Sequence, residues 1–278
     1  MRSGRIKARP RTQSCIAVSA DGVSWILFDA SPDILTQLRA FPEAQPARAI
    51  RDTAIVGIVL TDSQVDHTTG LLMLREGRPL RVYCTDPVHD DLSAANPLFD
   101  ILGHYCGVEW RRLATGDTNR FHVECADGLS LRAVPLMSKA PPYSTHRHDP
   151  HEGDTLGVQV TDETTGRTLF YAPGLGRIDS HLHAVFERAD CLLVDGTFWS
   201  EDELVRLDIS DKRAHDMGHL PQSGRGGMID VLGDYPHARK VLTHINNTNP
   251  ILDEDSPERA QLAAAGIEVA HDGMELVV

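Results

Sequence analysis

TDSQVDHTTGLL, residues 61–72, is the stretch on which the reading of this chain turns. An apolar run (Ile55, Val56, Ile58, Val59, Leu60) leads into it, and a helix-like segment at 70–74 leaves it. Between the two sits Asp66-His67. A carboxylate next to an imidazole in a strand-to-helix turn is a candidate metal-binding pair, because both groups ligate divalent transition metals. Loops at strand ends are also where α/β proteins assemble their sites, on a scaffold that holds them rigidly.

Two more apolar strands run into polar residues in the same way. The 191–194 strand ends at Asp195, and the 240–243 strand ends at His244. Each residue alone has an ordinary explanation: Asp66 as a helix cap, Asp195-Gly196 as a turn, His244 as a satisfied polar side chain. The coincidence of three such strand ends favours a metal. A fourth candidate is His219 in MGHLPQSG, 217–224, where Gly218, Pro221 and Gly224 place it on a shaped loop. The polar run Asn246-Asn247-Thr248-Asn249 follows the last strand and either caps a helix or hydrogen-bonds a ligand. Ser256-Pro257 reads as a helix start, with serine as N-cap and proline at the first position.

The remaining elements alternate. Strands are expected over 14–18, 24–29, 81–84, 129–135, 157–161, 168–172, 267–270 and 275–278, with a turn at Asp21-Gly22 and a hairpin around Thr164-Thr165-Gly166. Helices are expected over 35–41, with Ser31 as N-cap and Pro32 in the first position, over 87–94 and over 178–189. Hairpins early and β-then-α units later imply an α/β protein of two sheets covered by helices. The 278 residues suffice for one domain over 1–278, with residues 1–10 as a basic tail.

Composition excludes several classes. At 41% hydrophobic and 24% charged residues the chain has an ordinary globular make-up. A net charge of −13 argues against a general nucleic-acid binder, which needs an excess of cations. No apolar run approaches the roughly 18 residues of a membrane span. MRSGRIKARPRTQ has no apolar core and is not a secretory signal. Cys15, Cys84, Cys106, Cys125 and Cys191 show no CxxC spacing, which suggests reduced thiols and a cytoplasmic setting.

The turn at 61–72 resembles that of the metallo-β-lactamase fold, whose pattern is HxHxDH; here Asp62 and Gln64 stand at the two leading histidine positions. The whole chain resembles the coenzyme pyrroloquinoline quinone (PQQ) synthesis protein B family, a branch of that fold. The resemblance is carried by RPRTQSCIAVS (9–19), DASPDI (29–34), LTDSQVDHTTGLLMLREG (60–77), SKAPPYSTHRHDPHEGD (138–154), FYAPGLG (170–176), LLVDGTFW (192–199), MGHLPQSG (217–224) and HINNTNPILDEDSPERA (244–260).

The resemblance implies a four-layer αβ/βα sandwich with the site at one rim. It implies a role in making the cofactor PQQ from a glutamate–tyrosine precursor, as a mononuclear non-heme iron hydroxylase that uses dioxygen on the tyrosine-derived ring, alongside other PQQ synthesis enzymes. Asp66, His67, His219 and His244 fall on the family's metal positions, and Asp195 is either a further ligand or an orienter of one. Fe(II) is the expected metal, with Zn(II) and one-zinc hydrolysis as the rival; a carrier of PQQ or its precursor toward the periplasm is the non-catalytic alternative. Asp62, Gln64, Asn246, Asn247, Asn249 and His146 are the candidate substrate contacts. Arg75, Lys139, Arg147, Arg177 and Arg225 are weaker candidates for the precursor's carboxylates. A homodimer is also expected. The loop holding His146, His148 and His151 reads as a lid, a ligand source or a plain solvated loop.

One departure stands out. Family members begin with a strand and a cysteine cluster that holds a structural zinc, whereas the match here starts after that segment. No structural zinc is expected. Either the recorded start is downstream of the true one or the first strand is lacking, which would expose a sheet edge.

Overall fold

The computed structural model describes residues 6–116 and 118–278, and they divide into two compact units. Of the described residues, the first unit takes those in 12–136 and 140–166; the second takes 6–11, 137–139 and 167–278.

In the first unit, β1 (Ile16–Val18), β2 (Trp25–Phe28), β3 (Ile55–Val59), β4 (Leu80–Cys84) and β5 (Val108–Arg112) form a sheet in that spatial order. β1 and β2 are antiparallel, and β2 to β5 are parallel. Leu27, Ile58 and Val82 from these strands and Leu60 just after β3 pack with Ile34, Leu71 and Leu102 from the helical segments into one buried cluster. This is the apolar run 55–60 at work: a parallel strand covered on both faces needs apolar residues on both. β6 (Arg120–Phe121), β7 (Leu129–Pro135) and β8 (Leu156–Asp162) add an antiparallel group.

The second unit is built of parallel strands in the order β12-β11-β10-β9, where β9 is Thr168–Ala172, β10 Cys191–Asp195, β11 Arg239–Thr243 and β12 Ile267–Val269. Helices Ser180–Arg188, Met228–Gly233 and Pro257–Ala264 lie between them in sequence. Parallel pairing puts all four carboxyl ends at one edge, where β10 residue Asp195 pairs with Thr243. Asp195 and His244 are therefore neighbours by topology. Ser256 caps the last helix by accepting from the Arg259 N–H, as its sequence signature implies.

Several expectations are corrected. The first helix runs Ile34–Arg39 with Asp33 at its cap position; Ser31 Oγ accepts from Asp33 N, making a turn just ahead of the helix. The helix expected over 87–94 starts at Asp86 and passes into a π-helical turn, Asp91–Ala95. Residues 275–278 form no strand, and β5 and β6 went unforeseen, since VEWRR and a two-residue strand carry almost no apolar signal. Where a basic tail was expected, residues 1–5 lie outside the described ones, and Lys7–Arg11 are tied down. Lys7 N donates to Asp253, Glu254 N donates to Lys7 O, and Arg11 Nε donates to Ala270 O at 2.7 Å. All five cysteines carry free thiols. Among the described residues, no helix is long and apolar enough to cross a membrane.

Candidate metal centre

The second unit brings Asp195, His219 and His244 together, with candidate ligand atoms within 4.8 Å of one another. Asp195 ends β10 and is fully buried. His219 follows Gly218, which adopts a φ of +89° where a Cβ would strike Ser138 Oγ at 2.6 Å and Lys139 N at 2.7 Å. Only glycine lets the chain turn there, and Ser138 Oγ fixes the turn by donating to Gly218 O. His244 directly follows β11 with a φ of +54°, a conformation costly for a residue bearing a Cβ. Gly196 passes so close to Thr243 O that its N–H donates to it at 2.7 Å.

The hydrogen bonds show what this closeness means. Asp195 Oδ2 accepts from Leu175 N at 3.0 Å and from His219 Nδ1 at 2.6 Å. Oδ1 accepts from Thr197 N at 2.9 Å and is 2.6 Å from Thr197 Oγ1. A carboxylate offers about four lone-pair positions, and these four partners occupy them. Burial works to raise the Asp195 pKa, but the His219 and His244 rings and the Thr197 hydroxyl hold it below the ordinary value. Asp195 is thus an ionised hub that orients His219, with its oxygens already committed. Of the two roles left open for it, this geometry favours the orienter.

His219 donates its Nδ1–H to the Asp195 carboxylate, which leaves the neutral ring's lone pair on Nε2. His244 Nδ1 lies 2.7 Å from Thr197 Oγ1. The two rings stack with centroids 5.4 Å apart and planes inclined by 24°. Phe198 packs edge-on against His219 at 5.8 Å.

The first unit holds the turn at 61–72. Asp66 and His67 lie in the short helix Val65–Thr68, with Asp66 half-buried and His67 buried. Asp62 Oδ1 accepts from His67 Nδ1 at 2.8 Å and from Gln64 N at 2.8 Å. Asp29, with a φ of +61°, takes the Thr61 N–H at 2.8 Å and lies 4.0 Å from His67 Nδ1. Burial opposes a charged His67 ring, yet the Asp62 and Asp29 carboxylates hold its pKa well above the ordinary histidine value. Burial pushes Asp29 up, with His67 opposing. Here too Nδ1 is engaged by the protein, so Nε2 is the ring nitrogen that would lose its proton to a metal. Asp62, expected to meet substrate, is buried with its carboxylate spent on His67 and on the turn. Gln64 is half-buried beside it.

The polar run 246–249 turns out to be a clasp. Asn249 is buried; its Nδ2 reaches Gly196 O at 2.9 Å, Gln222 Oε1 at 2.8 Å and Thr197 O at 3.3 Å, while Oδ1 accepts from Ile251 N. All of its capacity goes to binding the 196–197 and 222 loops together, so it has little left for a substrate. Glu203 completes the clasp, accepting from Trp199 N and Thr248 Oγ1. Asn246 is half-buried and Asn247 exposed. In the first unit, His146 Nδ1 bonds Asp154 Oδ1 at 2.7 Å and its ring lies 4.0 Å from that of His151. Among the arginine candidates, Arg75 is turned to Leu72 O, Arg147 to Ala140 O and Arg177 to Asp179.

Sequence reasoning missed Thr197 and the orienting role of Asp62. The signal for Thr197 was its place two residues after Asp195 at a strand end; for Asp62, it was a carboxylate in a position where the fold's pattern has histidine.

In each unit, imidazoles whose Nδ1 atoms are held by protein groups suit a transition metal bound through Nε2, the usual arrangement of metal-ligating histidines. The comparisons agree with a metal-binding fold. The model of the β-lactamase superfamily domain matches residues 24–245. The coenzyme PQQ synthesis protein B of Nitrosococcus oceani is 60% identical over 283 residues, covering 100% of this chain and 92% of its own. That of Methylococcus capsulatus is 60% identical over 278 residues, covering 100% and 91%. The crystal structure of Zn(2+)-bound PqqB from Methylobacterium extorquens matches with a TM-score of 0.89 at 38% identity, over 99% of this chain and 91% of that one.

Proposed function

Because this chain belongs to the coenzyme PQQ synthesis protein B family within the β-lactamase superfamily, we propose that it serves PQQ synthesis as a mononuclear non-heme iron hydroxylase. Its metallo-β-lactamase fold carries an enzyme-like metal site. The proposed ligands are Asp66, His67, His219 and His244, with Asp195 orienting His219. The observation that supports this most is shared by the three imidazoles: Nδ1 of His67, His219 and His244 is engaged by Asp62, Asp195 and Thr197, which leaves Nε2 as the nitrogen each ring would offer a metal.

When bound, Fe(II) supplies the chemistry with dioxygen that hydroxylation of an aromatic ring requires, and histidine-plus-carboxylate sites with open positions suit it. The protein's own part is to hold the three rings. Asp195 does so at the end of β10, Asp62 in the turn after β3, and the Asn249–Glu203 clasp keeps the loops of the second unit from shifting. Asp62 and Gln64 stand where a two-metal site would need ligands, and Asp62 is committed to His67, which favours one metal over a two-metal clamp.

A zinc hydrolase is the second reading, favoured by the zinc bound to the Methylobacterium extorquens relative. The two part on one experiment. The chain is reconstituted anaerobically with Fe(II) or with Zn(II), given the glutamate–tyrosine-derived precursor, and exposed to isotopically labelled dioxygen. The hydroxylase reading expects labelled oxygen in the ring with iron alone. Precursor cleaved with zinc and no label incorporated with iron contradicts it, and unchanged precursor under both conditions points to a carrier.

A further inference from the structure

Thr197 Oγ1 stands among three groups: Asp195 Oδ1 at 2.6 Å, His244 Nδ1 at 2.7 Å and His244 O at 2.8 Å. A hydroxyl has one proton and two lone pairs. The carboxylate and the carbonyl are acceptors only, so both need that proton. If it went instead to His244 Nδ1, two short oxygen–oxygen contacts would be left with no proton between them, one of them to a buried carboxylate. The arrangement is therefore satisfied when the hydroxyl donates toward the oxygens and receives Nδ1–H from His244. That sets the tautomer of His244, with the lone pair on Nε2.

From this we infer that Thr197 is a positioning residue for metal binding, relaying the Asp195 carboxylate to His244 and selecting the Nε2 lone pair as its ligand. The role rests on the metal-site reading above. Asp195 then orients two histidines: His219 directly, and His244 through a neutral hydroxyl. The relay also offsets the cost of the left-handed backbone at His244, since the same hydroxyl reaches the His244 carbonyl. A valine at 197 has nearly the same shape, keeps the backbone N–H to Asp195 and lacks only the hydroxyl; a serine restores it.

The test is Zn(II) affinity of the full chain, measured by competition with a chromophoric chelator, in wild type, Thr197→Val, Thr197→Ser and His244→Ala, each checked for folding by circular dichroism. The expected result is a loss of about 10–100-fold in affinity for Thr197→Val, as for other partners of metal-bound histidines, with most of it restored in Thr197→Ser. Wild-type affinity in Thr197→Val, or equal weakness in both variants, overturns the relay while His244→Ala still loses zinc. If His244→Ala binds zinc as wild type does, the metal-site reading itself falls, and the relay with it. Should the valine variant fail to fold, the ¹⁵N spectrum of His244 in the metal-free wild type decides: Nδ1–H supports the relay, and Nε2–H overturns it.

Discussion

His67 in the first unit and His244 in the second are held at the same ring atom by different chemistry. Asp62 meets His67 Nδ1 with a carboxylate at 2.8 Å, and Asp29 stands behind it at 4.0 Å; Thr197 meets His244 Nδ1 with a hydroxyl at 2.7 Å, and Asp195 stands behind that hydroxyl. A carboxylate acts on charge as well as on orientation, and His67 is accordingly held well above the ordinary histidine pKa. A hydroxyl orients the ring and selects its tautomer without placing a negative charge against it. Beside each ring stands a left-handed residue with a side chain, Asp29 near His67 and His244 itself, so each unit pairs local strain with an ordered histidine. The first unit spends two buried carboxylates on one histidine, whereas the second spends one on two.

That economy predicts where damage is greatest. Asp195→Ala leaves the buried Leu175 and Thr197 N–H groups without their acceptor and removes the support of both His219 and His244. It is expected to cost on the order of 3 kcal/mol or more in denaturant unfolding and to weaken metal binding beyond any other single change outside the ligands. Asp62→Ala removes the partner of one histidine and one turn N–H, with Asp29 still near the ring. The expected fall in metal affinity is about 10–100-fold, with a smaller loss of stability than in Asp195→Ala. Equal losses in the two variants, measured side by side, would break the contrast.

Asn249→Ala separates the clasp from the proposed ligands. It leaves the Gly196 carbonyl, the Gln222 amide oxygen and the Ile251 N–H without their partner, and should cost about 1–3 kcal/mol in unfolding. The smallest effect is expected at His146, a histidine–carboxylate pair outside the proposed ligand set. Its hydrogen bond to Asp154 raises its pKa. The pair's contribution is then complete below the unfolded-chain value of about 6.5 and is lost as pH rises through the raised folded value. The stability gap between wild type and His146→Gln should shrink from mildly acid to alkaline pH; a gap that widens would contradict the pairing.

Much of this arrangement was legible along the chain. The 129–135 and 168–172 strands occur with the bounds expected, and the ends of the 55–60, 191–194 and 240–243 runs carry the candidate ligands, because apolar continuity marks a buried strand and its sudden end marks a loop. What could not be read was which polar residue holds which ring. Asp62 to His67, Thr197 to His244 and Asp195 to His219 are hydrogen bonds across turns or between strand ends, and residue spacing carries no record of tautomer. The run 246–249 was ambiguous for the same reason, since asparagine serves equally as cap, clasp or ligand contact until its acceptors are known. The helix start slipped from Ser31 to Asp33 because both residues are good caps and only backbone geometry chooses between them.

The central claim is a single metal held through Nε2 of histidines that the protein orients at Nδ1. Elemental analysis after anaerobic loading and removal of loose metal, on wild type beside His67→Ala and His244→Ala, tests it most directly. The account predicts about one metal per chain in wild type and a marked loss in both variants; two metals per chain, or variants that retain the wild-type content, would contradict it.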